Sequence, residues 1–150
     1  MTGIKIIARN KRAFFEYEIS EKLEAGIELQ GTEVKSLRAG KVNLSEGWVD
    51  IAPDSQVFLK QVHIAAYEYG NIYNHQEDRP RRLLLKKKEI VKLENSLHAK
   101  GFTLVPLKFY LKGQFVKVEL GLGKGKKSHD KRASTKEREA NRDIERALKR

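Results

Sequence analysis

The sequence predicts a mainly β domain with helices inserted between its strands. Residues 102–111 and 114–122 are apolar-rich segments that indicate an antiparallel hairpin turning at Lys112-Gly113, and Val116, Val118 and Leu120 recur at every second position in the later one. A second hairpin is expected where the turn-forming residues 53–55 separate two short apolar runs. A helical segment precedes the last hairpin. This order of elements is typical of an OB-like Greek-key β-barrel.

The N-terminal part of the chain is predicted to contain one long strand. Residues 14–29 alternate loosely between apolar and charged side chains. The strand is expected to bend near Gly26, where the missing Cβ permits unusual backbone angles. Residues 4–12 precede this strand and join an apolar patch to a basic one. The basic patch is a candidate binding cluster, and the alternative is a frayed, solvated terminus.

Two helices are predicted, one after the first strand and one before the last hairpin. The short helix covers residues 30–40, where Thr32 can cap the start and Gly40 can end the last turn. The longer helix covers residues 86–99 and is followed by Gly101, a suitable C-terminal glycine. The apolar side of the longer helix is predicted to consist of Ile90, Val91, Leu93 and Leu97.

Residues 67–80, between the second hairpin and the longer helix, are predicted to form a loop. They are rich in Gly, Asn and Asp, and their aromatic residues follow no regular period. Long loops in small domains often carry binding residues. This segment is therefore a candidate functional surface.

Charge is concentrated at the C-terminus of the 150-residue chain. Residues 124–150 hold 11 Lys/Arg against 5 Asp/Glu, so they carry +6 of the formal net charge of +11. Residues 1–123 hold the apolar runs of a single core and the remaining +5. We therefore expect two parts, a compact body over residues 1–123 and a basic tail over residues 124–150.

Several classes of protein are disfavoured by composition. The chain contains no cysteine, which excludes disulfides, thiolate metal sites and thiol nucleophiles, and fits a reducing cytoplasm. No apolar run approaches the roughly 20 residues that a membrane-spanning helix needs. The N-terminal apolar patch is too short for a secretory signal. A cytoplasmic protein without a membrane partner is expected.

Three basic clusters lie at residues 10–12, 79–88 and 124–132. They favour a polyanionic partner, because Lys and Arg side chains that contact phosphate release condensed counterions. Aromatic residues lie near the clusters, and OB-like barrels commonly bind oligonucleotides. RNA is therefore the favoured partner, and an anionic membrane surface is the competing interpretation.

Catalytic motifs are absent from the sequence. No histidine lies in a metal-binding motif, and the four are far apart: His63, His75, His98 and His129. The glycines of the segment GLGKG resemble a phosphate loop, but no GK[ST] follows them, and they are expected to end the last strand instead. No catalytic residue, metal or cofactor is expected, and the protein is predicted not to be an enzyme.

The tail has the composition of a helix without a core. Ser134 and Glu137 match a capping box, and Glu145 and Lys149 form a favourable i,i+4 pair. The apolar residues of the tail form only a narrow stripe, which buries too little surface to hold a short helix on the body. We expect the tail to be disordered alone and to become helical against RNA.

A resemblance to a known family is carried by segments spread over nearly the whole chain. In order, these are IARNKRA, LEAGIELQGTEVKSLRAGKVNL, RPRRLLLKKKEI, LVPLKFYLKG and VKVELGLGKGKKSHDKR, followed by the C-terminal ERALKR. Together they resemble the small protein B family, the bacterial partner of transfer-messenger RNA (tmRNA) in trans-translation.

The resemblance implies an OB-like barrel that binds the tRNA-like domain of tmRNA. It also implies support of alanyl charging and, indirectly through the charged RNA, delivery with elongation factor Tu to stalled ribosomes. The tail is implied to enter the decoding centre and the empty mRNA channel, to contact small-subunit ribosomal RNA and to fold there as a helix. The free protein is expected to be a monomer.

The resemblance and the residue chemistry together predict the site. Glu24 and Asn10 are expected to recognise specific groups, because an acid on an RNA face is costly unless it accepts hydrogen bonds from base or sugar donors. Phosphate contacts are predicted for Lys11, Arg12, Arg81 and Arg82. The other predicted RNA-binding residues are Leu84, Lys124, Lys126 and Lys127. Contacts with the decoding centre and mRNA channel are predicted for His129, Asp130, Lys131, Arg132, Lys136, Arg138, Arg142, Ile144 and Arg146.

Two other function classes stay open. A general single-strand RNA or ribosomal binding protein without a rescue role would share the basic clusters. A general binder should lose affinity steeply when its basic tail is removed, which distinguishes it from a rescue factor. A nuclease is the third class, and it requires that the pure protein cleave RNA in the presence of metal.

Overall fold

The computed structural model describes residues 3–70, 74–98 and 101–126, and its fold is mainly β. The helices in these ranges are α1 (Lys11–Glu16), α2 (Gly31–Arg38) and α3 (Lys87–Leu97). None of these described helices has the length and apolar character needed to cross a bilayer. The strands are β1 (Ile4–Arg9), β2 (Tyr17–Ile27), β3 (Val42–Asn43), β4 (Trp48–Ile51), β5 (Val57–Lys60), β6 (His63–Ile64), β7 (Arg81–Leu84), β8 (Phe102–Lys112) and β9 (Phe115–Gly125).

Seven strands form one antiparallel sheet in the order β1-β8-β9-β2-β7-β5-β4, and β3 pairs with β6 in a separate ladder. The sheet curls so that β4, at one edge, lies against β8, next to the other edge. Among the described strands no hydrogen-bonded ladder joins β1 to β4, so the barrel is not closed. The predicted mainly β, OB-like fold is confirmed, in an open form.

The core lies inside the curved sheet, where apolar side chains of the long strands meet those of α2 and α3. Burial of one large aliphatic or aromatic side chain stabilises a fold by roughly 1.5–3 kcal/mol relative to leaving it exposed. The core therefore holds the long strands in a fixed register. Its most deeply buried members include Leu37, Leu59, Leu104, Phe109 and Leu120.

Both predicted hairpins are present. β8 and β9 pair along almost their full length, and Gly113 takes the positive φ of 62° that the tight turn needs. β4 and β5 form the second hairpin, whose turn places Ser55 at a φ of 66°. Residues 67–70 and 74–80 contain no helix or strand, as the loop prediction requires.

The N-terminal segment differs from the prediction. Residues 4–9 form β1, which pairs with β8 and is not a frayed terminus. The strand predicted over residues 14–29 begins only at Tyr17, because α1 precedes it. Asn10 caps α1, and its Oδ1 accepts a hydrogen bond from the Ala13 backbone N–H at 3.1 Å. A helix of six residues is too short to leave a periodic signal in the sequence.

The other two helices match their predicted positions but not every predicted detail. The cap of α2 is Gln30, whose backbone N–H donates to Glu33 at 2.8 Å. Thr32 is therefore not the cap, and its hydroxyl instead lies 2.8 Å from the His75 Nδ1. Val91 is 49% exposed and does not belong to the apolar side of α3.

Gly121 and Gly123 do not end the last strand, because β9 continues to Gly125 and pairs with β2 throughout this stretch. A Cβ at Gly121 would lie 2.8 Å from the Leu107 Cδ1, and a Cβ at Gly123 would lie 2.9 Å from the Tyr17 Cβ. Both separations are too short for real atoms. The two glycines therefore permit close packing inside the strand.

Replacing Gly121 with Ala should destabilise the protein by about 1–3 kcal/mol, because the buried Leu107 and the partly buried Ile19 must shift to accommodate the new Cβ. Gly31→Ala is the matched control, since a Cβ at Gly31 meets nothing within 4 Å. Urea denaturation of both variants measures the free energy of unfolding. Equal stability of the two variants would show that the close approach at Gly121 does not limit the fold.

Candidate RNA-binding surface

The outer face of the sheet carries a charged patch on β2, β9 and β8. Glu24 pairs with Glu119, and Glu119 pairs with Lys108. Because paired residues of antiparallel strands point to the same side of the sheet, these side chains form one row. The adjacent row contains Lys117 and Tyr110, which pair with each other. These five residues define the Glu24 face.

The Glu24 carboxylate is held by two donors. The Tyr110 hydroxyl donates to Oε2 at 2.5 Å, and the Lys112 Nζ lies 3.5 Å from Oε1. The hydrogen bond from Tyr110 and the charge of Lys112 hold the pKa of Glu24 below its usual value, against an opposing effect of partial burial. Glu24 is therefore an ionised acceptor on a surface rich in lysine. Such a group can accept hydrogen bonds from N–H or O–H donors of a ligand.

β7 adds an apolar and a basic side chain beside the Glu24 face. Leu84 pairs with Gly26 and is 48% exposed. Its side chain covers Gly26, where an added Cβ would lie 3.2 Å from the Leu84 Cβ. Arg82 is also exposed, and its guanidinium lies 3.8 Å from the Glu28 carboxylate. The structure thus brings Glu24, Arg82 and Leu84, all predicted site residues, to one surface.

Arg81 points to the opposite side of β7 and is fully buried. Its Nε donates to the Glu33 carboxylate at 2.6 Å. Its two terminal nitrogens donate to the backbone carbonyls of Val62 and Glu77 at 2.5 and 2.9 Å. A phosphate cannot reach this guanidinium in the folded protein. The phosphate contact predicted for Arg81 is therefore corrected to a structural role.

Glu33 joins two arginines inside the protein. It is fully buried in α2, and Arg79 and Arg81 both donate to its carboxylate. Burial raises the pKa of Glu33, but hydrogen bonds from Arg79, the Gln30 backbone and Arg81 outweigh this effect and lower the pKa below its usual value. The network connects α2 to β7. Because it engages two of the three arginines in this cluster, Arg82 is the arginine that presents its charge outward.

The first basic cluster lies at the start of α1. Asn10 is buried, and its side-chain amide donates to the backbone carbonyls of Leu44 at 3.1 Å and Pro106 at 2.8 Å. These bonds fix α1 against the body and occupy the Asn10 amide. The specific recognition predicted for Asn10 is therefore corrected to a structural role. Lys11 and Arg12 are exposed. The Arg12 guanidinium forms ion pairs with two glutamates.

Lys124 and Lys126 lie at the end of the last described segment. Lys124 is exposed, with its Nζ 6.0 Å from the centre of the Phe102 ring. The Lys126 Nζ donates to the Phe14 carbonyl at 2.8 Å, so this end of β9 lies beside α1. Several predicted site residues fall outside the described residues: Lys127, His129, Asp130, Lys131, Arg132, Lys136, Arg138, Arg142, Ile144 and Arg146.

Apart from the buried Asn10 and Arg81, the predicted site residues within the described ranges form two groups. One surrounds Glu24, and the other lies near the Tyr17 end of the β2–β9 ladder. These two ends of β2 are roughly 20 Å apart, at about 3.3 Å per residue. The second group consists of Lys11, Arg12, Lys124 and Lys126.

Within the described ranges, no set of three or more His, Cys, Asp or Glu side chains could hold a metal ion.

Comparison with known proteins assigns the family. Residues 7–150 match the family described as SmpB protein. The chain belongs to the SmpB protein family. It is 50% identical over 148 residues to the SsrA-binding protein of Treponema denticola, and this match covers 99% of this chain and 96% of the relative. It is 54% identical over 144 residues to the SsrA-binding protein of Streptococcus mutans, and this match covers 96% of this chain and 92% of the relative.

A solved structure has a similar fold. This SmpB family member is 47% identical to a chain described as "tmRNA-SmpB: a journey to the center of the bacterial ribosome", with a TM-score of 0.68. The match covers 81% of this chain and 85% of that chain. The resemblance drawn from the sequence motifs is thereby confirmed.

Five residues on or beside the Glu24 face were not predicted from sequence: Lys108, Tyr110, Lys112, Lys117 and Glu119. Alternation along β9 could have located Lys117, because its neighbour Val118 is buried and the two side chains must point to opposite faces. No local signal identifies Tyr110, since its hydrogen bond joins residues 86 positions apart in sequence.

Replacing Glu33 with Gln should lower the free energy of unfolding by about 3–5 kcal/mol at pH 7, because it leaves Arg81 buried without its charge partner. The folded-state pKa of Glu33 is below its usual value of 4.5. The wild-type stabilisation is therefore complete above this value and is lost as pH falls through the folded-state pKa. Chemical denaturation at pH 7 and at lower pH measures both effects.

The Glu33→Gln variant should show a flatter loss of stability in acid than the wild type, since it lacks the titrating group. Glu68→Gln changes the same charge at an exposed position and is the control. Parallel acid profiles of the wild type and the Glu33→Gln variant would contradict the assigned role of Glu33.

Proposed function

We propose that this protein is an RNA-binding protein that binds tmRNA, the SsrA RNA, and acts in trans-translation to rescue stalled ribosomes. The relatives compared above are named SsrA-binding proteins, and the similar solved chain is described with tmRNA and the bacterial ribosome. The observation that carries the proposal is the Glu24 face. There an ionised carboxylate is fixed beside an exposed leucine and several cationic side chains.

Each kind of group around the Glu24 face has its own chemical role in this proposal. Glu24 accepts hydrogen bonds from base or ribose donors. Lys117 and Arg82 contact phosphates, and Leu84 packs against the apolar face of a base or sugar. The Glu24 carboxylate repels phosphates, and this cost is offset only when N–H or O–H groups of the RNA donate hydrogen bonds to it. A surface of this mixed character therefore favours one folded RNA over polyanions in general.

The tRNA-like domain of tmRNA is the RNA element that we propose for this surface. Long paired strands support the Glu24 face, so it is a rigid platform for a folded RNA. A protein that binds only the folded RNA stabilises that fold by mass action. Binding would in this way support alanyl charging and delivery of the charged RNA with elongation factor Tu, with the free protein a monomer in the cytoplasm.

The second basic group is proposed to lead into a ribosome-binding tail. Lys124 and Lys126 lie at the end of β9 beside α1, which begins at Lys11, and residues 127–150 follow directly in the sequence. Those residues contain nine Lys/Arg against five Asp/Glu. We propose that they enter the decoding centre and the empty mRNA channel, where ribosomal RNA attracts positive charge. The tail residues predicted above, from His129 to Arg146, make these contacts in the proposal.

Replacing Glu24 with Ala should weaken tmRNA binding by about 10- to 100-fold, because hydrogen bonds to a charged acceptor are lost from the specific complex. Binding of a non-specific RNA should stay within about 2-fold, because that binding depends on phosphate contacts. Fluorescence anisotropy with both RNAs at one salt concentration gives the dissociation constants. Glu68→Ala removes the same charge from an exposed loop and is the matched control. Equal losses on both RNAs would argue against specific recognition by Glu24.

Removing residues 127–150 should leave tmRNA affinity within a few-fold and abolish peptide tagging on stalled ribosomes. The truncated chain ends after Lys126 and retains all of β9, so the Glu24 face keeps its support. A general single-strand RNA or ribosomal binding protein would instead lose affinity steeply, because nine Lys/Arg are removed against five Asp/Glu. A reconstituted tagging assay and salt titrations of RNA binding distinguish these outcomes.

A further inference from the structure

Tyr110 holds a fixed position within the Glu24 face. Its backbone pairs with Ile6 of β1 on one side and with Lys117 of β9 on the other. Tyr110 is only 5% exposed, although its side chain lies on the outer side of the sheet. The Lys108 Nζ lies 5.5 Å from the centre of its ring. The ring is thus immobilised, and its hydroxyl reaches across β9 to Glu24 on β2.

Glu24, in contrast, has a long side chain near the surface. A glutamate in such a place can adopt several rotamers, and ordering one of them during binding has an entropic cost. The 2.5 Å hydrogen bond from Tyr110 selects one position of the carboxylate before any ligand arrives. Lys112, 3.5 Å from the other carboxylate oxygen, favours the same arrangement.

The Glu24 carboxylate, held in place by Tyr110, borders a surface cleft of about 280 Å³. Tyr110 and Glu24 line it together with Ile4, Lys22 and Lys108. Ile4 is 59% exposed and supplies an apolar wall. The two lysines supply ammonium groups, and Glu119, which also lines the cleft, lies 3.7 Å from the Lys108 Nζ. An apolar wall, ammonium groups and a fixed acceptor are the features that bind the base, phosphate and donor groups of an unpaired nucleotide.

We propose that Tyr110 is a positioning residue for RNA recognition, which orients the Glu24 carboxylate toward a single nucleotide seated in this cleft. The inference rests on the proposed tmRNA-binding function and deepens it. Tyr110 acts through Glu24, and its hydroxyl makes no contact with the RNA. The expected consequence is that Tyr110 affects the choice between RNAs more than the overall affinity for RNA.

The direction of the hydrogen bond supports this role. Burial and the Glu24 charge raise the pKa of Tyr110 above its usual value of 10, so the phenol keeps its proton and donates it. With Oε2 bound by Tyr110, the remaining acceptor capacity of Glu24 serves the ligand. A nucleotide without a donor at the matching place would desolvate the carboxylate without compensation and would be rejected.

A double-mutant cycle tests the proposal. Dissociation constants for tmRNA and for a non-specific RNA are measured for the wild type, Tyr110→Phe, Glu24→Gln and the double variant. Tyr110→Phe should weaken tmRNA binding by about 3- to 10-fold, leave non-specific RNA binding unchanged and add no further loss to Glu24→Gln. Tyr69→Phe removes an exposed hydroxyl outside the Glu24 face and is the control.

A second variant separates positioning from folding. 4-Aminophenylalanine at position 110 keeps the ring and an N–H donor, so it should restore tmRNA affinity to within about 2-fold of the wild type. Thermal melts identify a temperature at which every variant is folded, and binding is measured there. Failure of this rescue in a folded protein would overturn the proposal.

Other outcomes would also overturn the role of Tyr110. These are equal losses on both RNAs, or the same tmRNA loss when Glu24 is already Gln, since a merely structural residue would behave in these ways. An unaffected Tyr110→Phe variant with tmRNA preference intact would overturn the role of Tyr110 alone. A wild-type protein without any preference for tmRNA would overturn the proposed function as well.

Discussion

The buried ion pair between Glu33 and Arg81 is the contact on which the arrangement of the surface depends. β7 has four residues, yet it lies between β2 and β5 and joins the two parts of the sheet. Its ladder with β2 pairs Gly26 and Ile27 with Leu84 and Leu83, and one more hydrogen bond runs from the Glu28 N–H to the Arg82 carbonyl at 2.9 Å. Arg81 strengthens this short connection by binding α2 and the Val62 carbonyl with the same guanidinium. A buried charge requires such partners, so the strand has one stable register.

Alternation along β7 gives adjacent arginines opposite roles. Arg81 and Leu83 point into the body, whereas Arg82 and Leu84 point outward. The inward arginine is neutralised by Glu33 and satisfied by backbone carbonyls, so it adds little to the external field. The outward one keeps its charge at the surface. The local density of basic residues in the sequence therefore overstates the positive charge that a ligand would meet.

Short-range patterns predicted much of this fold. Period-two alternation located β9, the apolar run before Lys112-Gly113 located β8, and turn residues located the hairpin of β4 and β5. Asn10 and the short helix that it caps left no periodic signal. The structural roles of Arg81 and Gly121 depend on contacts with residues distant in sequence, so the sequence pattern could not indicate them. Family motifs located Glu24 and Leu84, whereas Tyr110 emerged from a contact between strands that are distant in sequence.

The pairing of β9 on both of its edges makes this strand rigid. It is paired on both sides, with β8 and with β2, so it can neither stretch nor slide independently of the body. Glu119 and Gly125 are six residues apart along it, a span of roughly 20 Å. The strand therefore fixes the distance between the Glu24 face and its own C-terminal end at Gly125, shortly before residues 127–150. A ligand that contacts both the Glu24 face and the Gly125 end of β9 must therefore span a distance that the protein does not adjust.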